Sequence, residues 1–322
     1  MRDYIIRRLL LMIPTLFFVT VMVFLLVRLV PGDVIEIMVM QQASSQVGQE
    51  SELDVDAVRH MLGLDVPIHT QYGRWIWGIV TRGDLGESLW TGRSVTEEIL
   101  HRLPITFELG FLAFVLAQLI ALPVGIYSAI RQDTIGDYAG RSFAILSLAT
   151  PAFWLGTMIM VFPSIWWGWA PAVEYIPFLD DPLGNLQQFI IPAILMGTAM
   201  SGGTMRIVRT MMLEVLRQDY IRTAWAKGLR ERTVVTRHAV KNALIPVVTV
   251  ISGQIPVMTG GAVIMEQIFC LPGMGRLGLN AVLNRDLFII SGLNLVFAIF
   301  GLLTILAVDL SYAYLDPRVR YR

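Results

Sequence analysis

The apolar positions of this chain gather into six runs, each of roughly the 20 residues that a helix needs to cross the hydrocarbon core of a bilayer. They extend approximately from Leu9 to Val30, Phe107 to Ile130, Phe143 to Trp166, Phe189 to Ile207, Leu244 to Phe269 and Leu287 to Tyr312. The pattern predicts an all-α integral membrane protein of about six transmembrane helices. The first run follows Arg2, Arg7 and Arg8 in the manner of a secretory leader. Its apolar stretch is too long for one, and Val30-Pro31-Gly32-Asp33 lacks a small-x-small cleavage pattern, so it reads as a retained anchor. Between the first two runs, a helical pattern near Asp54 to Leu62 and turn signals at Gly83, Gly86 and Gly92 predict a small α-rich segment. The expected organisation is residues 1–30 as tail and first helix, 31–104 as an external segment, 105–314 as a five-helix core containing a loop at 207–243, and 315–322 as a tail.

Small residues pattern the runs as well. Ala113, Ala117, Ala121, Gly125 and Ala129 recur every fourth position of the second run, and Gly197 with Ser201, and Ala199 with Gly203, repeat the device in the fourth. In lipid, close backbone approach replaces the hydrophobic drive between helices, and such stripes provide it. Pro123, Pro192, Pro246 and Pro256 interrupt helical hydrogen bonding within or beside the runs, which is tolerable where neighbours or a wet cavity satisfy the freed carbonyls.

Composition agrees with this picture. Of 322 residues, 55% are hydrophobic and 16% charged, against roughly a quarter charged in a soluble domain. The formal net charge of zero conceals a separation along the chain. Residues 31–104 hold eleven Asp/Glu and five Lys/Arg, net −6, whereas 201–241 hold nine Lys/Arg and three Asp/Glu, net +6. Basic loops stay on the cytoplasmic side, so the first region is expected outside, and the second inside together with both chain ends. The loop holding Glu174, Asp180 and Asp181, which contains no Lys or Arg, falls outside and fits the same parity. One cysteine, Cys270, and four scattered histidines offer neither a disulfide framework nor zinc-ligand spacing. A membrane-embedded enzyme would need a convergent acid–base or metal set, and no His-Glu-x-x-His and no paired intramembrane carboxylates occur.

The basic loop carries the most information. Two helical stretches meet at Gly228, where Lys227 in the last turn complements the negative helix end and glycine is free to take the left-handed conformation. Thr223, Ala224 and Ala226 form a small surface suited to close approach by another protein. A basic amphipathic helix lying on anionic lipid is the alternative from composition alone. Polar or backbone-exposing groups at bilayer depth, Gly253 and Gln254 beside Pro256, and Asn294, suit a substrate path or satisfied helix–helix hydrogen bonds equally well. Pro272-Gly273-Met274-Gly275-Arg276 reads as a flexible outer loop able to gate a path or meet a receptor, with Glu266 as its anchor.

The run Asp219-Tyr220-Ile221-Arg222-Thr223-Ala224-Trp225-Ala226-Lys227-Gly228-Leu229, followed by Arg237-His238-Ala239-Val240-Lys241-Asn242-Ala243-Leu244-Ile245-Pro246, resembles the cytoplasmic signature of ABC-importer permeases of the dipeptide/oligopeptide/nickel group, and within it the first of two permease subunits. Arg28-Leu29-Val30-Pro31-Gly32-Asp33, Gly83 to Ser88, Arg102 to Leu109, Thr150-Pro151-Ala152-Phe153-Trp154, Glu266 to Leu277 with Leu271-Pro272-Gly273-Met274-Gly275-Arg276 at its centre, and Leu315-Asp316-Pro317-Arg318 agree with it in order, so the match runs nearly end to end. The resemblance implies a type I importer permease in a bacterial-type inner membrane, with residues 220–228 as a coupling helix set in a cleft of an ATPase. It implies a second permease subunit forming a heterodimer, two cytoplasmic ABC ATPases, an extracytoplasmic substrate-binding protein and a peptide cargo; nickel chelate, glutathione and oligosaccharide are the alternative cargoes. The chain has no Gly-x-x-x-x-Gly-Lys-Ser/Thr loop, so ATP and magnesium fall to the partner ATPases. No cofactor, enzymatic activity or nucleic-acid partner is expected of this subunit.

Overall fold

A computed structural model of the chain describes residues 2–29 and 65–315. The expected helix near Asp54 to Leu62, the Pro31-Gly32-Asp33 motif and the tail beyond Leu315 lie outside the described residues. The elements are helices α1 (Arg2–Leu29), α2 (Ile68–Arg82), α3 (Val95–Ile130), α4 (Ile135–Ala149), α5 (Ala152–Trp167), α6 (Pro182–Leu216), α7 (Asp219–Ala226), α8 (Glu231–Gly253), α9 (Ile255–Ile268), α10 (Met274–Leu283) and α11 (Leu287–Leu315). Five of these are long and apolar enough to cross a membrane, and α4 with α5 makes a sixth if that bent pair is one span.

Two expected spans differ in detail. The run from Phe143 to Trp166 is two helices bent by 85° at a break. The residue before a proline is pushed out of the helical region by the ring, and Thr150, ahead of Pro151, is extended at φ −95°, ψ 118°. The run from Leu244 to Phe269 is likewise divided. The apolar helix α8 begins thirteen residues sooner, at Glu231, and stops at Gly253, while Gln254 separates it from α9, which carries Pro256 in its first turn. A proline there lacks an N–H that a helix start leaves unpaired in any case.

The chain folds as two compact units. One comprises the described residues of Arg2–Leu103 with Leu277–Leu302. In it Phe24 of α1 is buried edge-on against Tyr72 and tilted on Trp75 of α2. The turn joining α2 to α3 uses left-handed backbone at Gly83, Gly86 and Gly92, where the turn signals lie. It is tied to the α10–α11 connection: Ser88 Oγ donates to Asp286 Oδ2 at 2.6 Å and Trp90 Nε1 to the Asn284 carbonyl at 2.6 Å.

The other unit comprises Pro104–Arg276 with the residues from Leu303. Its packing follows the small-residue stripe of α3. Ala113, Ala117 and Ala121 are fully buried and Ala129 nearly so, because α6 lies directly on them. A Cβ added at Gly197 would stand 2.8 Å from the Ala113 carbonyl oxygen, and one at Gly125 2.9 Å from the Val208 side chain. The Gly197–Ser201 row of α6 is thus a contact face. The Ala199–Gly203 row is half-buried, and a Cβ at Gly203 would meet nothing within 4 Å. Large apolar side chains face outward instead, among them Phe111, Leu119, Ile145, Trp166 and Trp167, as lipid as solvent permits.

Candidate functional site

Helix α7 is set on the inner face of a small apolar cluster by two residues three apart. Ile221 is fully buried and Ala224 is 5% exposed, packed with Val208, Met212, Val234, Val235 and Ala239. Positions three apart share a helical face, so the remaining side chains point away: Tyr220, Arg222, Thr223, Trp225, Ala226 and Lys227 are all exposed. Ala224, expected on the docking surface, instead lies beneath it. Its methyl group belongs to the same apolar cluster as Val234 and Val235.

The end of α7 is closed by a defined cap. Gly228 has φ +72°, its N–H donates to the Trp225 carbonyl at 2.9 Å, and the Leu229 N–H reaches the Ala224 carbonyl at 3.4 Å. This paired arrangement satisfies the last carbonyls and turns the chain sharply. Tyr220 is held by Asn242 Nδ2, which donates to its hydroxyl at 3.0 Å. The next helix opens with a π-helical stretch, Val234–Val240. Val235, Ala239, Ala243 and Val247 are buried at intervals of four. A strict four-residue row drifts around a regular α-helix of 3.6 residues per turn, and a wider turn keeps it facing α7 and α6.

Beside this cluster lies an ion pair that sequence reasoning did not single out. Asp137 is fully buried, and its carboxylate accepts from Arg209 Nε at 2.9 Å and Nη2 at 2.8 Å. It also accepts from Ser128 Oγ and from the Asp133 N–H. Both residues lie just outside the apolar runs, among other charged and polar residues, so no local signal sets them apart. That they pair across 72 positions is visible only in the fold.

At the junction of α8 and α9, Gln254 ties that corner to α3 and α6. Its Nε2 donates to the Met200 carbonyl at 3.0 Å and to Thr204 Oγ1 at 2.9 Å, and its Oε1 accepts from Gln118 Nε2 at 3.1 Å. The other amide oxygen of the set, Gln118 Oε1, is buried with no hydrogen-bond partner. Gly253 is exposed and Pro256 half-buried. Asn294 belongs to the other unit, exposed, with its Nδ2 on the Ile290 carbonyl of its own helix at 2.9 Å.

The 271–276 loop is not the loose segment its glycines suggest. Leu271, Gly273, Met274 and Gly275 are buried, and Pro272 and Arg276 are half-buried. The chain wraps the fully buried carboxylate of Glu266, whose Oε1 accepts from Thr106 Oγ1 at 2.5 Å and Oε2 from the Arg276 N–H at 2.9 Å. Thr106 Oγ1 accepts in turn from the Met274 N–H at 2.8 Å, and Arg276 Nη1 donates to the Cys270 carbonyl at 2.9 Å. A Cβ at Gly273 would fall within the carboxylate, and one at Gly275 2.6 Å from Val263 Cα. Glycine is required here by close approach, and the buried charge needs those donors. Gly273→Ala is therefore expected to destabilise the protein by roughly 1–3 kcal/mol, the range for overpacking a filled site. Thermal unfolding in detergent measures it, and an unchanged melting temperature would contradict the clamp.

Long apolar helices joined by polar side chains define a multi-pass membrane protein. The chain belongs to the family described as the binding-protein-dependent transport system inner membrane component, whose sequence model matches residues 121–321; the corresponding N-terminal component matches residues 1–110. It is 38% identical over 321 residues to a putative peptide transport system permease protein of Brucella abortus (strain 2308), covering the whole of both chains. It is 37% identical over 345 residues to a dipeptide transport system permease protein of Escherichia coli (strain K12), again covering all of both. A glutathione transport system permease protein of Salmonella paratyphi A is 36% identical over 322 residues, with both chains fully covered. The protein is thus an ABC-importer permease of the type I fold in the inner membrane, a transport subunit and not an enzyme. Membership implies in general a partner permease, an ATPase and a substrate-binding protein.

Proposed function

We propose that this chain forms half of the translocation path of an ATP-driven importer of di- and oligopeptides, and that α7 is the coupling helix through which ATPase motion reaches the bundle. The observation that carries the reading is the division of α7 into a buried pair, Ile221 and Ala224, and an outward face of Tyr220, Arg222, Thr223, Trp225, Ala226 and Lys227. A helix anchored on one side and capped at its end transmits a push as a rigid body. Closure of two ATPase subunits on ATP and magnesium would draw two such helices together, tilt the attached spans and open a cavity toward the substrate-binding protein; hydrolysis would reverse it, as in alternating access. A second, non-identical permease supplies the other half of the cavity. The names of the peptide and dipeptide permeases it resembles support that cargo. Glutathione, itself a small peptide, is the second reading, favoured by the relative of 36% identity.

The test is uptake of labelled peptides by proteoliposomes holding both permeases, both ATPases and the binding protein. ATP-dependent peptide accumulation is expected; accumulation without ATP, or none with any peptide, would reject the reading. Orientation has its own check, in a Cys270→Ser background. Leu179→Cys, on a residue 92% exposed, is expected to react with an impermeant thiol reagent from outside, and Arg222→Cys only from inside. Gln254→Leu removes three hydrogen bonds and, if Gln254 lines the path, lowers uptake by about fivefold, equivalent to roughly 1 kcal/mol, in a complex that still assembles. Equal uptake would remove it from the path. Glu266 with Pro272, Gly273, Gly275 and Arg276 is proposed to hold the outer end rigid, not to move as a gate.

A further inference from the structure

We infer that the groove between α3, α4 and α6 near the Asp137–Arg209 pair is a binding site for a phosphate group, supplied by an anionic phospholipid of the surrounding membrane. The groove is shallow and open, with only about 20 Å³ of interior space, so a ligand would sit on its rim; it is lined by Val124, Gly125, Ser128, Gly140, Ala144 and Met205 with Arg141, Arg206 and Arg209. Its charges are not equivalent. Arg209 is neutralised by Asp137 through two hydrogen bonds, whereas Arg141 and Arg206 are exposed and in no ion pair among the described residues. Arg141 lies only over the Tyr138 ring, at 5.4 Å from its centroid. Two uncompensated guanidinium groups therefore rim a groove whose floor is small and apolar. A guanidinium fork matches phosphate oxygens, and basic pockets between membrane helices on the cytoplasmic side suit lipid headgroups.

Three features favour a lipid over a protein partner. Arg206 stands on a helix long and apolar enough to cross a membrane and Arg141 on the first half of the bent pair, and the outward residues of α4 next along the helix are apolar, Ile145 at 61% exposure and Leu148 at 50%. A Cβ at Gly140 would stand 3.0 Å from Val124 Cγ1, and one at Gly125 2.9 Å from Val208, so the floor is tightly packed and leaves the arginine rim as the place a ligand can reach. The arrangement joins a charged rim to an apolar wall, the chemistry of a headgroup and the first carbons of its chains. This site is independent of cargo and of the role given to α7.

The experiment uses the assembled transporter. Native mass spectrometry after graded delipidation counts retained phosphatidylglycerol or cardiolipin, in wild type and in Arg141→Gln/Arg206→Gln. An arginine near an anionic surface is worth about fivefold, so the double variant is expected to bind anionic lipid roughly 30-fold more weakly. Arg141→Lys/Arg206→Lys, which keeps the charge, is expected to retain most of it and guards against misfolding as the cause. A parallel arm adds inorganic phosphate to lipid-free transporter in a non-ionic detergent. Stabilisation by millimolar phosphate that vanishes in the glutamine variant supports the phosphate site but assigns it to the free ion. Equal lipid retention in wild type and glutamine variant, with no phosphate effect on either, would overturn the site. Loss of partner subunits from the glutamine variant with lipid retained would also overturn it, reassigning both arginines to a protein contact.

Discussion

Trp225→Asp is expected to leave the transporter folded and assembled in the membrane while abolishing uptake, whereas Ala224→Asp at the adjacent position prevents stable folding. The two side chains differ in what surrounds them. Trp225 is 44% exposed and its carboxylate replacement stays in water; Ala224 is 5% exposed, among Ile221, Val234, Val235 and Met212. A carboxylate there has no donor to receive it, and an uncompensated buried charge costs at least about 3 kcal/mol. Outside the membrane, the same Trp225 substitution removes a large apolar contact of the kind that dominates protein interfaces. Expected results are a normal melting temperature and no ATP-driven uptake for Trp225→Asp, with low yield and early unfolding for Ala224→Asp. Detergent-solubilised melting, co-purification of the ATPases and uptake are the measurements. Full transport by Trp225→Asp would remove α7 from the coupling interface, and a stable Ala224→Asp protein would contradict its inward placement.

Asp137→Ala is expected to be strongly destabilising. It strips Arg209 of a doubly hydrogen-bonded carboxylate that is fully buried and leaves Ser128 without its acceptor. Breaking a buried pair by removing one partner costs about 3–5 kcal/mol, which corresponds to a fall in melting temperature on the order of 10 °C. Replacing both partners by apolar residues, as in Asp137→Leu/Arg209→Met, removes the orphaned charge with its cause, and most of the stability is expected to return. If the double variant is no more stable than Asp137→Ala, the loss does not come from an orphaned Arg209 charge. The same pair adjoins the cluster that seats α7, so the single variant is also expected to weaken the seat of that helix.

Much of the architecture was legible because bilayer physics writes long signals. A run of apolar residues and a four-residue repeat of alanine and glycine are local patterns, and Ala113, Ala117, Ala121, Gly125 and Ala129 are found on one packed face. Gly228 was legible as a helix end, since few other residues accept its backbone angles. The signatures from Asp219 to Pro246 are contiguous in the chain, so they point to the family without reference to the fold. The spans lost their accuracy where local rules compete: Pro151 breaks a run that hydropathy alone reads as continuous, and α8 begins among the polar residues from Glu231 to Lys241.

The site is where one-dimensional reading stops. Hydropathy, charge order and motif spacing are properties of neighbours in the chain, and they sufficed for a helical permease with a protruding, glycine-capped segment. Which face of that segment points inward depends on Val208, Val234 and Ala239 arriving beneath it; whether Gly273 and Gly275 loosen a loop or admit a carboxylate depends on Glu266 lying between them and Thr106. Asp137 and Arg209 are each merely one charge among others until helix packing places them in contact. Contacts between distant positions are fixed by complementary shape and paired charge in three dimensions, and no local period in the chain encodes them.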